Sequence, residues 1–239
     1  MSSPLWSPDT TRIENAWISQ FISMVNDAFP QANTSDYASL QRWSLANPED
    51  FWGAVWQFCG VVASETGDTI LADADRFPGA RWFPDATLNF AENLLRYRDD
   101  RTALVSLLEN GERREMSYAQ LYLQVARLAA ALRAEGVVAG DRVVGFMPNI
   151  SETVVAMLAA VSIGATWSSC SPDFGINGVM DRFGQIQPKV MFCADGYFYN
   201  GKTCDSLARV ASITEQIDSL QRVVVVPLTR SSPDLAGTG

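Results

Sequence analysis

The residues of this chain whose types and spacing could do chemistry lie in one short stretch. Gly196 to Thr203 reads Gly-Tyr-Phe-Tyr-Asn-Gly-Lys-Thr and matches the pattern G-x-x-x-x-G-K-[ST] at every defined position. It follows an apolar run of strand length, Lys189 to Ala194, and precedes a helix predicted to begin near Thr203 or Asp205. In that setting the pattern predicts a loop whose backbone N–H groups, together with Lys202, bind the phosphates of a nucleotide.

The interior of this loop weighs against a nucleoside triphosphatase. Three bulky residues, Tyr197 to Tyr199, occupy the positions where the chain would have to curl tightly around an anion. The next apolar run, Val223 to Val226, is followed by Pro227, whereas an aspartate would be needed there to hold a metal ion. The sequence leaves three interpretations of Lys202 open: a nucleotidase lysine, a contact to a phosphate of some other ligand, or a solvated side chain at a helix start.

The other reactive side chains narrow the possible chemistry. The sequence contains no histidine, which excludes Ser-His-Asp triads, Cys-His dyads and His-ligated zinc. The four cysteines, Cys59, Cys170, Cys193 and Cys204, show no C-x-x-C spacing, and Cys170 and Cys193 lie in apolar strands. We interpret these two as small buried hydrophobic residues, and we expect a reducing compartment.

The elements that must position these residues alternate between strands and helices. Short links between such elements predict a parallel sheet with crossover helices, and ligands of such sheets bind beyond the carboxyl ends of the strands. The two loops expected at that edge are 171–175 and 195–203. The predicted order is a strand from Asp141 to Pro148, a helix over 151–163 capped by Ser151, a strand over 165–170, a helix ended by Pro188 and a strand over 189–194.

Other elements flank this predicted α/β core. Residues 1–100 carry aromatic side chains at helical spacing and predict a mostly helical N-terminal cap. A hairpin is predicted over 102–116, with Asn110-Gly111 in its turn, and a Ser117–Gln120 capping box begins the next helix. A fourth buried strand is predicted over 222–226. The predicted organisation is therefore a helical unit over 1–100, an α/β unit over 101–230 and a tail over 231–239.

The composition argues against several classes of partner. The formal net charge of the 239 residues is −9 and the basic residues are scattered, so a basic face for nucleic acid is not expected. No apolar block follows a basic start within residues 1–30, and the longest apolar run, Val154 to Trp167, is too short to span a bilayer. We expect a soluble cytoplasmic protein with neither nucleic-acid nor membrane partners.

Four stretches give the sequence a resemblance to the adenylate-forming acid–CoA ligases. Arg81 to Leu95 resembles the amino-terminal signature of the acetyl-CoA synthetase branch, and much of Gly140 to Ala165 resembles the first βαβ unit of the superfamily. Trp167 to Gly175, with Asp181 to Lys189, narrows the resemblance to the acetoacetyl-CoA synthetase family. Acetyl-specific members usually carry Gly-Gly-Phe where this chain has Pro172-Asp173-Phe174.

The resemblance extends from Trp6 to Pro227 and implies a ligase that works in two steps. Acetoacetate and ATP would give an acyl-adenylate and pyrophosphate, and the thiol of CoA would then displace AMP. Acetoacetate is thus the implied substrate, with ATP, Mg²⁺ and CoA as co-substrates. Family members are much longer, and their Ser/Thr/Gly-rich phosphate loop, ribose-binding aspartate and catalytic lysine have no counterpart in this sequence. We therefore expect an amino-terminal part of such an enzyme, inactive alone, and assign no catalytic residue and no metal ligand.

The resemblance does imply part of a CoA nucleotide site. In the acetyl-CoA synthetase branch that nucleotide contacts the loop after the second strand and basic residues after the third, which implies Ser171, Pro172, Asp173, Tyr199 and Lys202 here. Lys202 replaces an arginine of the relatives, so it keeps the charge but loses the bidentate fork. Structural interpretations stay open beside this one: a turn or cap hydroxyl for Ser171, a turn former for Pro172, an N-cap for Asp173 and loop packing for Tyr199.

Two rival functions also stay open at this point. The first is a phosphate-loop nucleotidase built on Gly196 to Thr203. The second is a non-catalytic module that keeps the same fold and binds CoA or another nucleotide.

Overall fold

The computed structural model of the chain describes residues 5–235. The polypeptide divides after Leu88 into two units, Met1–Leu88 and Asn89–Gly239, and each has its own hydrophobic core. Within residues 5–235 no helix is both long and apolar enough to cross a membrane.

The first unit is mostly helical, and side chains at the helix starts explain its helix boundaries. Asp9 accepts a hydrogen bond from the backbone N–H of Arg12 at 2.8 Å, and Asp36 forms a capping box with Ser39. Pro48 takes the first position of its helix, where no N–H is needed. The elements are α1 (Thr10–Glu14), α2 (Trp17–Ala28), a 3₁₀ turn (Pro30–Ala32), α3 (Tyr37–Ala46), α4 (Pro48–Cys59), β1 (Leu71–Ala72) and β2 (Arg81–Trp82).

Aromatic side chains form the core of this helical unit, as their spacing in the sequence predicts. Phe21 is buried and meets Phe51 and Phe58 edge to face, with ring centres 5.9 Å and 5.1 Å apart. Trp43 packs into the same cluster. Such contacts stabilise the unit beyond the apolar area that they bury.

The second unit alternates strands and helices. Its hairpin and the following capping box lie where the sequence predicts them, since Ser117 accepts from Gln120 and the Gln120 side chain accepts from Ser117. The elements are α5 (Phe90–Leu94), β3 (Thr102–Leu107), β4 (Arg113–Ser117), α6 (Tyr118–Ala134), β5 (Arg142–Phe146), α7 (Ser151–Ser162), β6 (Thr166–Cys170), α8 (Ile176–Val179) with a π-helical turn (Met180–Gly184), β7 (Val190–Ala194), β8 (Gly196–Tyr199), β9 (Lys202–Asp205), α9 (Leu207–Thr214) and β10 (Arg222–Val226).

Four of these strands form a parallel sheet in the order β10-β7-β5-β6, which confirms the predicted α/β class. Phe146 is in register with Cys170 on one side and Cys193 on the other, so β5, β6 and β7 end at one edge. Strand β7 is buried along its whole length. The prediction of a buried fourth strand is wrong for β10, which is only partly buried because it pairs on one side alone.

Alternate residues of the sheet face two separate apolar clusters. Val143 belongs to the cluster that includes side chains of α6 and α7, whereas Val144 and Phe146 belong to the cluster with side chains of α8 and α9. Because both faces are covered by helices, the strands can be nearly continuous runs of apolar residues.

Helix α7 is capped by a neighbouring strand, and the prediction that Ser151 caps it is wrong. Its N-cap residue is Ile150, which has no side-chain acceptor. The hydroxyl of Ser106 in β3 accepts from the backbone N–H of Ser151 at 3.1 Å, and the two serine hydroxyls lie 2.7 Å apart. Both serines are buried, so this pair satisfies polar groups that water does not reach.

We expect Ser106→Ala to lower the free energy of unfolding by about 1–2 kcal/mol, because it leaves a buried helix-start N–H and a buried hydroxyl without a partner. Urea titration followed by circular dichroism measures the change. The matched control is Ser212→Ala, whose hydroxyl makes one long contact to Ala208, and there the change should stay within about 0.5 kcal/mol. Equal unfolding midpoints for Ser106→Ala and the unchanged protein would contradict this account of the cap.

Candidate functional site

The stretch from Gly196 to Thr203 is an antiparallel hairpin and not a phosphate loop. Strands β8 and β9 pair Tyr199 with Lys202 across a two-residue turn, Asn200-Gly201, whose φ angles are 49° and 72°. Asn-Gly is the preferred sequence for such a turn. The helix predicted to begin near Thr203 or Asp205 is present but begins later, since α9 starts at Leu207 and Thr203 and Asp205 belong to β9.

This hairpin removes the basis of the nucleotidase hypothesis. A phosphate loop directs successive backbone N–H groups, and those at the start of the next helix, towards one anion. Here Lys202 and Thr203 lie within a strand, in register with Tyr199 and Phe198. The letter match to the phosphate-loop pattern is therefore coincidental.

A cleft with a volume of about 300 Å³ lies at the carboxyl edge of the parallel sheet. Ser171, Pro172 and Asp173, which follow β6, line one wall, and Tyr197 to Tyr199 of the hairpin line another. The structure thus brings four of the five predicted site residues to one cleft. It does not bring Lys202 there, since that side chain is exposed on β9 beside Tyr199 and does not line the cleft.

The loop after β6 is a tight turn closed by its own polar groups. The backbone N–H of Phe174 donates to the carbonyl of Ser171 at 3.2 Å, around a buried Pro172. The Ser171 hydroxyl donates to the carboxylate of Asp173. The interpretation of Asp173 as an N-cap is wrong, because the N-cap of α8 is Gly175, without a side-chain hydrogen bond.

Tyr199 presents its ring to solvent at the cleft. It is 59% exposed, so packing within the loop does not account for its position. Its neighbour along β8, Tyr197, is half-buried. The hairpin therefore gives the cleft one wall of aromatic surface, whereas the turn after β6 contributes hydroxyl and carboxylate groups.

A buried carboxylate behind the cleft, Asp195, is the residue that sequence reasoning missed. It is 0% exposed and accepts four hydrogen bonds from the loop after β10. The donors are the backbone N–H groups of Leu228 (2.7 Å), Thr229 (3.0 Å) and Arg230 (2.8 Å) and the hydroxyl of Thr229 (2.8 Å). The signal in the sequence was an aspartate directly after a fully apolar strand.

The backbone of Asp195 joins two further segments. Its N–H donates to the carbonyl of Val226 at 3.1 Å, and its carbonyl accepts from the N–H of Ser206 at 3.1 Å. One residue therefore ties together the end of β7, the start of α9 and the loop after β10. Leu228 of that loop lines the cleft, so the shape of the cleft depends on these bonds.

The charge of Asp195 is stabilised by its donors. Burial raises the pKa of its carboxyl, but the hydrogen bonds from Thr229, Leu228 and Arg230 outweigh burial, and the net pKa lies below the usual value. Beside it, Arg230 also pairs with Asp205 and lowers the pKa of that carboxyl.

The two buried cysteines near the cleft are not nucleophiles. Cys170 and Cys193 are buried, as their sequence context predicts. Burial, and then the negative charge of Asp195, raise the pKa of Cys193 to about 12, and burial also raises the pKa of Cys170. Both remain protonated thiols at neutral pH. Residues 5–235 contain no group of three or more side chains able to hold a metal ion.

A parallel sheet covered on both faces, with a cleft beyond the carboxyl ends of its strands, is the arrangement in which open α/β proteins bind their ligands. A family model described as "AMP-binding enzyme" matches residues 90–238, and one described as "Acetyl-coenzyme A synthetase N-terminus" matches residues 37–94. The chain belongs to the AMP-binding enzyme family.

Individual relatives narrow the similarity to acetoacetyl-CoA synthetases. The enzyme of that name from Rhizobium meliloti is 44% identical over 235 residues, which are 98% of this chain and 36% of the relative. The one from Danio rerio is 42% identical over 96% of this chain and 34% of the relative. The solved acetoacetyl-CoA synthetase from Streptomyces lividans is 43% identical with a TM-score of 0.90, over 98% of this chain and 36% of that one. The chain thus spans about a third of the length of these relatives.

We expect the contribution of Asp195 to stability to vary with pH. Because its pKa is lower in the folded chain, the contribution is present above the unfolded-state pKa of about 3.9 and is lost as the pH falls through the folded-state pKa. Asp195→Asn should therefore cost about 1–3 kcal/mol of unfolding free energy at pH 7, and the gap to the unchanged protein should shrink below about pH 4. Urea titration at several pH values measures the gap.

The control for this experiment is Asp218→Asn, an exposed aspartate, whose effect should stay within about 0.5 kcal/mol throughout. An Asp195→Asn gap that is the same at pH 7 and pH 3 would show that the negative charge of Asp195 does not hold the loop.

Proposed function

We propose that this chain supplies the amino-terminal part of an acid–CoA ligase that converts acetoacetate, ATP and CoA into acetoacetyl-CoA, AMP and pyrophosphate. In the first step a carboxylate oxygen of acetoacetate attacks the α-phosphorus of ATP and pyrophosphate leaves. In the second step the thiol of CoA attacks the acyl carbon, loses its proton, and AMP leaves. Mg²⁺ accompanies ATP as a co-substrate.

The observation that carries this proposal is the identity of 40–44% to several acetoacetyl-CoA synthetases over nearly the whole chain. That identity covers 93–98% of the chain, and the two family models together match residues 37–238. The chain spans about a third of those relatives, so we propose that it does not catalyse ligation alone. We propose the cytoplasm as its location, consistent with four cysteines that form no disulfide.

Within this ligase, we propose that the cleft at the carboxyl edge binds the nucleotide of CoA. The exposed ring of Tyr199 offers a flat surface on which an adenine can stack. The Ser171 hydroxyl and the Asp173 carboxylate offer hydrogen-bond partners for the ribose or the base, and the turn at Pro172 fixes their position. Lys202 is paired with Tyr199 across the hairpin and supplies a positive charge at the rim of the cleft for a phosphate.

This arrangement would act by positioning. Holding the nucleotide of CoA in a fixed cleft limits where the distant thiol can reach, and so raises its effective concentration at the acyl-adenylate. None of the five residues needs to change its protonation state for that role. We therefore assign them to binding and not to bond making.

A chimeric enzyme tests the proposed function. This chain would replace the aligned segment of the Rhizobium meliloti relative, with which it shares 44% identity over 235 residues. We expect the chimera to release pyrophosphate when given acetoacetate and ATP, and to form acetoacetyl-CoA when CoA is added. Coupled assays for pyrophosphate and for the thioester measure the two steps separately.

Acetate in place of acetoacetate is the substrate control, and the parent enzyme is the control for folding. A folded chimera that forms the acyl-adenylate but transfers nothing to CoA would contradict the assignment of the cleft. A folded chimera without either step would contradict the ligase and favour a non-catalytic binding module.

A further inference from the structure

A guanidinium group contacts residues at two walls of the cleft, although Arg209 does not itself line the cleft. Arg209, on the first turn of α9, is half-buried, and its central carbon lies 5.7 Å from the ring centre of Tyr197 and 5.8 Å from that of Phe146. Tyr197 lines the cleft, and Phe174, whose carbonyl also contacts Arg209, directly follows the cleft residue Asp173.

The hydrogen-bonding capacity of Arg209 is poorly used. A guanidinium has five N–H donors. Those of Arg209 reach the carbonyl of Phe174 at 3.5 Å, the hydroxyl of Tyr197 at 3.5 Å and the carbonyl of Asp205 at 3.3 Å, all longer than the usual 2.9–3.0 Å. Among residues 5–235, the ion pairs within 4.0 Å all involve other arginines or lysines.

The other basic side chains near the cleft have different surroundings from Arg209. Arg230 is paired with Asp205, and Lys202 is exposed and does not line the cleft. Arg182 lies on the far side of Phe174, where it stacks at 4.6 Å from the ring centre and donates to the carbonyl of Gly178 at 2.7 Å. Arg209 thus combines partial burial between aromatic rings with long contacts and no carboxylate.

We propose that Arg209 binds a phosphate group of the nucleotide held in the cleft, through two N–H groups of its guanidinium. The planar fork of arginine matches two phosphate oxygens, and a partly desolvated guanidinium gains most from such a partner. The proposal rests on the proposed function, since the nucleotide is that of CoA. Arg209 then makes the principal contact to the phosphate, and Lys202, whose charge is exposed, makes a weaker one.

The test is calorimetric titration of the 239-residue chain with CoA. Arg209→Gln should weaken binding at least about tenfold, since a charged hydrogen-bonded contact is removed, and should flatten the dependence of the affinity on salt. The matched control is Arg222→Gln. Arg222 begins β10, at the opposite edge of the sheet, and pairs with Glu135, so its loss should leave CoA affinity unchanged.

A second variant, Arg209→Lys, keeps the charge and the stem, and so guards against loss of folding in Arg209→Gln. It should bind CoA about three- to fivefold more weakly, with the salt dependence of the unchanged chain, because a point charge replaces the fork. If the unchanged chain binds CoA and either Arg209 variant binds it with the same affinity, the role of Arg209 is overturned and the proposed function stands. Absence of CoA binding by the unchanged chain would overturn this inference together with the assignment of the cleft.

Discussion

The cleft of this protein depends on one buried carboxylate. Asp195 directly follows a fully buried strand and accepts four hydrogen bonds from residues 228–230, a segment that follows a different strand. A buried charge is costly unless it is paired or hydrogen-bonded, so the carboxylate depends on the donors of the loop. The loop in turn is held in position by the carboxylate. Leu228 lines the cleft, and the hairpin begins at Gly196, the residue after Asp195. The hydrogen bonds between Asp195 and residues 228–230 therefore fix two of the walls.

Another wall comes from the turn after β6, and its chemistry differs from that of the hairpin. Ser171 and Asp173 are polar, whereas Tyr197 to Tyr199 are aromatic, and Arg209 lies behind the aromatic side. A nucleotide needs the same three features in a binding site: a flat surface for its base, polar partners for its ribose and a positive charge for its phosphates. The chain belongs to the AMP-binding enzyme family, and a cleft of this composition fits the proposed role in holding the nucleotide of CoA.

Much of the fold could be predicted from local sequence. Strand-length apolar runs between capped helices predicted the parallel sheet, and the Ser117–Gln120 capping box lies where it was expected. A loop over 195–203 was predicted in place of the hairpin, although Asn200-Gly201 is itself a strong turn signal. Asp195 and Ser106 could not be assigned, since their partners lie 33–35 and 45 residues away along the chain. Only tertiary structure brings these groups together.

The most direct test of the account is a crystal structure of the chain grown with CoA. The account predicts electron density for the adenine nucleotide between the 171–173 turn and Tyr199, with a phosphate within hydrogen-bond distance of the Arg209 guanidinium. Nucleotide density elsewhere on the chain, with the cleft holding only solvent, would contradict the central claim that this edge of the sheet is the CoA site.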